Sequence, residues 1–163
     1  MSALKNVTLI GGTVTMGLMA GLFYAYSCSV MLGLGKVDDR TFVDVMQKIN
    51  VAIINPAFMF CFMGTVVIVG AAAFFNRGSG ALKWIIAGLV LYIVALIVTF
   101  AFNIPLNDQL AAAGDPARIS DLAAVRSHFE SDWVRWNLIR AVLHTGSFGL
   151  LCWALVVSGN TAT

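Results

Sequence analysis

The sequence predicts an all-α membrane protein: a bundle of four transmembrane helices, with an amphipathic segment after the first and an extramembrane extension before the last. Two observations predict it. Of its 163 residues, 60% are hydrophobic and only 11% are charged. Mean hydropathy is +0.88, more than a water-soluble core of this size requires. Apolar windows able to cross a hydrocarbon layer of about 30 Å recur over residues 7–34, 51–75, 82–102 and 137–157. Residues 1–163 are therefore read as one domain. The net charge of +2 and the lack of a basic cluster give nucleic acid no purchase.

The first window, Val7 to Leu34, is too long and too rich in glycine for a cleaved signal. No small-residue cleavage pattern precedes Lys36, so it reads as a retained span. Gly17, Gly21 and Ala25 recur at four-residue spacing and predict a close-packing seam. Tyr24, Tyr26 and Ser27 follow near its end, where aromatic rings with polar tips suit an interface; Tyr24 and Ser27, three apart, could also face a pocket. Lys36 to Asn50 then places Phe42, Val45, Met46 and Ile49 on one helical face, a lid or collar at the membrane surface.

Asn55-Pro56 falls inside the second window, where proline frees a carbonyl that asparagine can satisfy; a kink or a site residue is expected. Asn76 to Gly80, NRGSG, is a tight turn. The third span sets Tyr92, Thr99 and Asn103 on one face. Pro105 biases Ile104 away from helix, so this span should end near Asn103, with Asn103 and Asn107 bracketing the break. Asp115 as N-cap and Pro116 as first helical residue should start the helix that continues into the fourth span. Cys28, Cys61 and Cys152 lie inside spans without a C-x-x-C pair and read as inert thiols.

Four spans put both termini on one side. Lys5, Arg77 and Lys83 stand at the termini and the short second connection without acidic neighbours, which assigns the termini to the cytoplasm of a cell (inner) membrane; a bare count of Lys and Arg leans the other way.

If the fourth helix is continuous, Arg126, Glu130, Trp133, Asn137, Arg140, His144 and Ser147 form one polar stripe, with His128 and Arg135 facing elsewhere. With Trp133 and Trp136 at the interface, Arg140 lies about 6 Å and His144 about 12 Å below it. An arginine in a membrane costs at least about 2.5 kcal/mol and needs a partner. No Asp or Glu lies within a span, so its partners are neutral groups, a ligand anion, or acids of the connections such as Glu130 and Asp108. The parity of the spans brings Asn55, Asn103, Asn107 and Asn137 to the same end as Arg140.

A single histidine within the spans argues against a metal or haem site, and the lack of buried carboxylates argues against proton pumping. What remains is one imidazole able to move a proton, one fixed cation, several amides and aromatic walls. That set could deprotonate a flat, acidic, hydrophobic molecule and hold its anion.

N-x-P-L-N at Asn103 to Asn107, followed by W-x-x-W-N-x-x-R at Trp133 to Arg140, resembles the anthrone oxygenase-like integral membrane family, the DUF1772 domain. The likeness covers most of the chain. It implies oxidation of an anthrone to an anthraquinone by molecular oxygen as co-substrate, with no cofactor. On that analogy His144 would be the base, Arg140 and Asn137 would hold the oxyanion, and Trp133 and Trp136 would flank the rings. Asn55, Asn103, Asn107 and Tyr24 would complete the substrate-binding set. The competing expectation is a non-enzymatic subunit that binds a lipid or quinone or docks on a larger membrane complex, supported by the Gly17 and Gly21 seam and the amphipathic Lys36 to Asn50 segment; a homo-oligomer is also expected as a partner.

Overall fold

The computed structural model describes residues 2–160. Helix α1 (Ser2–Ala25) passes through a π-helical turn (Tyr26–Val30) into the short α2 (Met31–Leu34). Helices α3 (Asp39–Ala52) and α4 (Pro56–Phe75) follow. Then α5 (Leu82–Val98) runs through a second π-helical turn (Thr99–Asn103) into α6 (Ile104–Ala112), and α7 (Leu122–Asn160) closes the chain. Among the described residues the regular structure is entirely helical. The stretches Ala3–Leu34, Pro56–Phe75, Leu82–Ala112 and Leu122–Gly159 are each long and apolar enough to cross a membrane, as an integral membrane protein requires.

The four long helices share one core in which α1 packs on α4 and α7, and α5 packs on α7 and α4. Leu9, Met16, Phe23, Phe62, Val69, Ile85, Tyr92 and Leu151 are enclosed there. Small residues set how closely the helices approach. A Cβ on Gly17 would stand 2.9 Å from the Phe148 ring of α7, while one on Gly21 would meet nothing within 4 Å. The predicted seam is thus used inside the chain at Gly17 and left open at Gly21. Two hydrogen bonds fix the register: Tyr92 Oη donates to the Phe62 carbonyl at 2.7 Å, and Ser147 Oγ to the Gly88 carbonyl at 2.6 Å.

Helix α3 is the predicted collar. Its Phe42, Val43 and Met46 form a second cluster with Met31, Leu110, Phe129 and Trp133, and Ile49 packs at its edge. Val43 rather than Val45 completes the buried face. Asp38 caps α3, accepting from the Thr41 backbone N–H at 3.1 Å and its hydroxyl at 2.6 Å; these bonds hold the Asp38 carboxyl below the usual carboxylate range. Gln47 Nε2 donates to the carbonyls of Leu110 and Gly114 at 2.8 and 3.0 Å, tying the collar to the end of α6.

The chain departs from sequence expectation in three places. Asn55-Pro56 makes no kink inside a span: Asn55 caps α4, its side chain accepting from Phe58 N–H at 3.0 Å, and Pro56 takes the first helical position, where its missing N–H costs nothing. Pro105 does not end the third helix. The π turn gives Ile104 N–H a bond to the Thr99 carbonyl, five residues back, and this widening lets the helix absorb the proline and run on to Ala112. Helix α7 does not start at Pro116, because Asp115 is spent on a local turn, accepting from Ala117 N–H at 2.8 Å. Asp121 accepts from Ala124 N–H at 2.9 Å, and α7 begins at Leu122.

Candidate functional site

Where the two π turns face α7, the helices part around a cavity of about 250 Å³. Phe23 and Tyr26 line it from the first membrane-length stretch, and Thr99, Phe100 and Ile104 from the third. Phe58, Met59 and Phe62 come from α4, Asn107 from α6, and Trp133, Asn137 and Arg140 from α7. The end of α3 and the residues after it, Ile49, Asn50, Ile53 and Ile54, close the top. Ile54, Met59 and Phe100 are also exposed on the outer surface, so this wall opens sideways, where lipid would lie. A π turn inserts an extra residue into a helix and recurs at functional sites; two of them border this cavity.

The polar centre is on α7. Asn137 is 1% exposed, and its amide nitrogen donates to the Phe23 carbonyl at 3.2 Å and to Ser27 Oγ at 2.8 Å. A carbonyl can only accept, so the amide NH₂ must face α1 and the amide oxygen must face the other way. That oxygen accepts from Arg140 Nη2 at 3.0 Å. Asn137 therefore spends both donors on α1 and positions Arg140.

Arg140 is 5% exposed. Its guanidinium lies 4.5 Å from the Phe23 ring centroid and 5.4 Å from that of Trp133. Its Nε has no hydrogen-bond partner. Among the described residues no carboxylate pairs with it. Glu130, expected as a candidate, is held by Arg126 at 2.6 Å, and Asp108 is exposed. A cation enclosed by aromatic rings with an unspent donor is equipped to receive an anion or a developing enolate.

The other predicted site residues separate. Trp133 and Asn107 line the cavity together, the indole N–H donating to Asn107 Oδ1 at 2.8 Å, which fixes the ring as a wall. Asn103 is fully buried beside α7, its amide nitrogen 3.4 Å from the Trp133 carbonyl and its Oδ1 unpartnered, outside the lining. Trp136 stacks on Phe102 at 3.6 Å, also outside it. Tyr24 is exposed and Asn55 is a helix cap. His144 sits a turn beyond Arg140, fully enclosed, stacked on Phe23 at 4.6 Å and edge-on to Tyr92 at 4.9 Å. Both its ring nitrogens lack partners. Phe23 thus stands between the cavity and the imidazole.

Sequence reasoning did not single out Phe23, Asn50 and Phe100. Asn50 was findable: it follows Met46 by four residues, on the buried face of an amphipathic helix, where a polar group is out of place. Among the described residues no three His, Cys, Asp or Glu side chains converge as metal ligands would.

Compared with known families, residues 58–150, more than half of the chain, match the sequence model described as anthrone oxygenase. The match spans α4 to α7 and so includes Trp133, Asn137, Arg140 and His144. The Phe23 and Asn50 walls lie outside it. No curated protein and no solved structure matches the chain.

Proposed function

The chain belongs to the anthrone oxygenase family, and on that premise we propose that it is a membrane-embedded oxygenase acting on a planar, ionisable aromatic such as an anthrone, bound in the cavity beneath α3. The observation that carries this reading is Arg140: a buried cation at an apolar cavity wall, with no acidic partner and no acceptor for its Nε among the described residues. An anthrone carries a carbonyl opposite an acidic methylene. Loss of one methylene proton places negative charge on the carbonyl oxygen, and Arg140 stabilises that charge where little water screens it.

The carbanion form is itself the reductant, so the substrate supplies the electrons. One electron passes to oxygen, and the resulting radical and superoxide combine to form the C–O bond of a hydroperoxide. Loss of the second methylene proton then breaks the O–O bond, leaving the new carbonyl and releasing water. In sum, one anthrone and one dioxygen give one anthraquinone and one water. His144 is the proposed acceptor of the first proton, which it returns to the peroxide anion to complete the hydroperoxide, and then of the second, which it gives to the departing hydroxide; it reaches the substrate when the Phe23 ring turns aside. Asn137 holds Arg140 in place, and Phe23 and Trp133 flank the rings. If the termini are cytoplasmic, the site lies in the opposite leaflet and its open wall admits substrate from the lipid.

The test is oxygen uptake by the purified protein with emodin anthrone, corrected for spontaneous oxidation, in wild type, Arg140→Ala and His144→Ala. Catalysed uptake that is lost in both folded variants supports the reading. Uptake no faster than background in wild type refutes it and favours a lipid- or quinone-binding subunit.

A further inference from the structure

Two walls of the cavity carry enclosed donors that nothing among the described residues satisfies: Nε of Arg140 from α7, and Nδ2 of Asn50 from the last turn of α3. A buried donor without an acceptor costs on the order of 1–3 kcal/mol, and native interiors leave few of them. The surrounding wall of Phe23, Phe58, Phe62 and Phe100 offers neither group an acceptor. Asn50 is also held by its helix, which Gln47 ties to the carbonyls of Leu110 and Gly114 and which Phe42 and Met46 root in the second core. The Asn50 amide is therefore carried to the cavity wall on a firmly held helix.

We infer that the molecule bound here presents two separate oxygen acceptors, an anionic one to Arg140 and a second, carbonyl- or phenol-type one to Asn50, joined by a flat apolar frame. Asn50 is then a specificity-determining residue that selects doubly oxygenated polycycles over singly oxygenated ones. The selection is steep because a ligand lacking the second oxygen leaves the Asn50 donor buried and unpaired, which discriminates more strongly than a missing apolar contact. The inference rests on the cavity being the substrate site proposed above, though not on turnover.

Binding of redox-inert probes tests it without requiring catalysis. 2-Hydroxyanthracene and 2-hydroxyanthraquinone share a tricyclic frame and a phenol, and only the second adds carbonyl oxygens. Their dissociation constants are measured by tryptophan fluorescence quenching in detergent micelles for wild type, Asn50→Leu, Asn50→Gln and Arg140→Leu, each with a melting curve to confirm folding. Asn50→Leu should weaken the quinone about tenfold, or about 1.4 kcal/mol, and leave the hydroxyanthracene bound at least as tightly, since the unpaired donor is gone. Asn50→Gln should recover part of the loss, and Arg140→Leu should weaken both probes. Equal effects of Asn50→Leu on the two probes, or none on either, would overturn the inference. Selective weakening in a protein that consumes no oxygen would sustain it while removing the oxygenase reading.

Discussion

Arg126 and Arg140 stand on one face of α7, about 21 Å apart along the helix, and the protein treats them in opposite ways. Arg126 is saturated: it bonds Glu130 at 2.6 Å and Asp39 at 3.0 Å, donates to the Val37 carbonyl at 2.8 Å, and lies over the Phe42 ring. It clamps the entry to α3 onto α7. Arg140, more deeply placed, has among the described residues one neutral hydrogen-bond partner in Asn137 and an idle Nε. Satisfied charge serves the fold; in the reading proposed above, the charge without a counter-ion is the one reserved for a ligand.

The largest expected effect follows from removing the idle charge. Arg140→Leu should lower catalysed oxygen uptake by about 100-fold or more, as loss of an oxyanion donor does. Its melting temperature should hold or rise, since an unpaired buried cation is replaced by apolar volume. Arg126→Ala should do the reverse, costing about 2–3 kcal/mol of stability through its charged hydrogen bonds. Its turnover per folded molecule should stay close to wild type, checked by denaturation alongside uptake. Equal behaviour of the two variants would erase the distinction.

A finer change sharpens the contrast. Asn137→Asp gives Arg140 the carboxylate that Arg126 already has, and should weaken binding of an anionic hydroxyanthraquinone about tenfold, about 1.4 kcal/mol, measured by titration.

The smallest effect belongs to Asp38. Its carboxyl pKa is lowered in the folded protein by the Thr41 hydroxyl and backbone bonds. The capping contribution is therefore fully present above the ordinary carboxylate pKa and is lost as pH falls through the lower folded value. Melting curves taken down through that range should show a small decline that Asp38→Ala abolishes.

These arginines also show what was legible in the sequence. The stripe from Arg126 to Ser147 was readable because a continuous helix turns spacing into a face, and Asn137, Arg140, His144 and Ser147 are all buried on it. The four apolar stretches were readable from length alone. Which arginine was spoken for was not, because the Asp39 that meets Arg126 lies 87 residues away. Pro105 misled because a π turn, which spacing rules do not encode, relieves the clash that would break an α-helix. Tyr24 shares its side of α1 with Gly21, which has no neighbour, so it faces outward, and Tyr26 reaches the cavity instead.

The most direct test of the central claim, that Arg140 is reserved for an oxyanion, is the visible absorption spectrum of a bound hydroxyanthraquinone at a pH where the free phenol is neutral. The wild-type protein should shift the bound band to the red of the phenolate, and Arg140→Leu should return it to the position of the neutral phenol. A neutral spectrum in wild type, or a phenolate spectrum unchanged in Arg140→Leu, would contradict the claim.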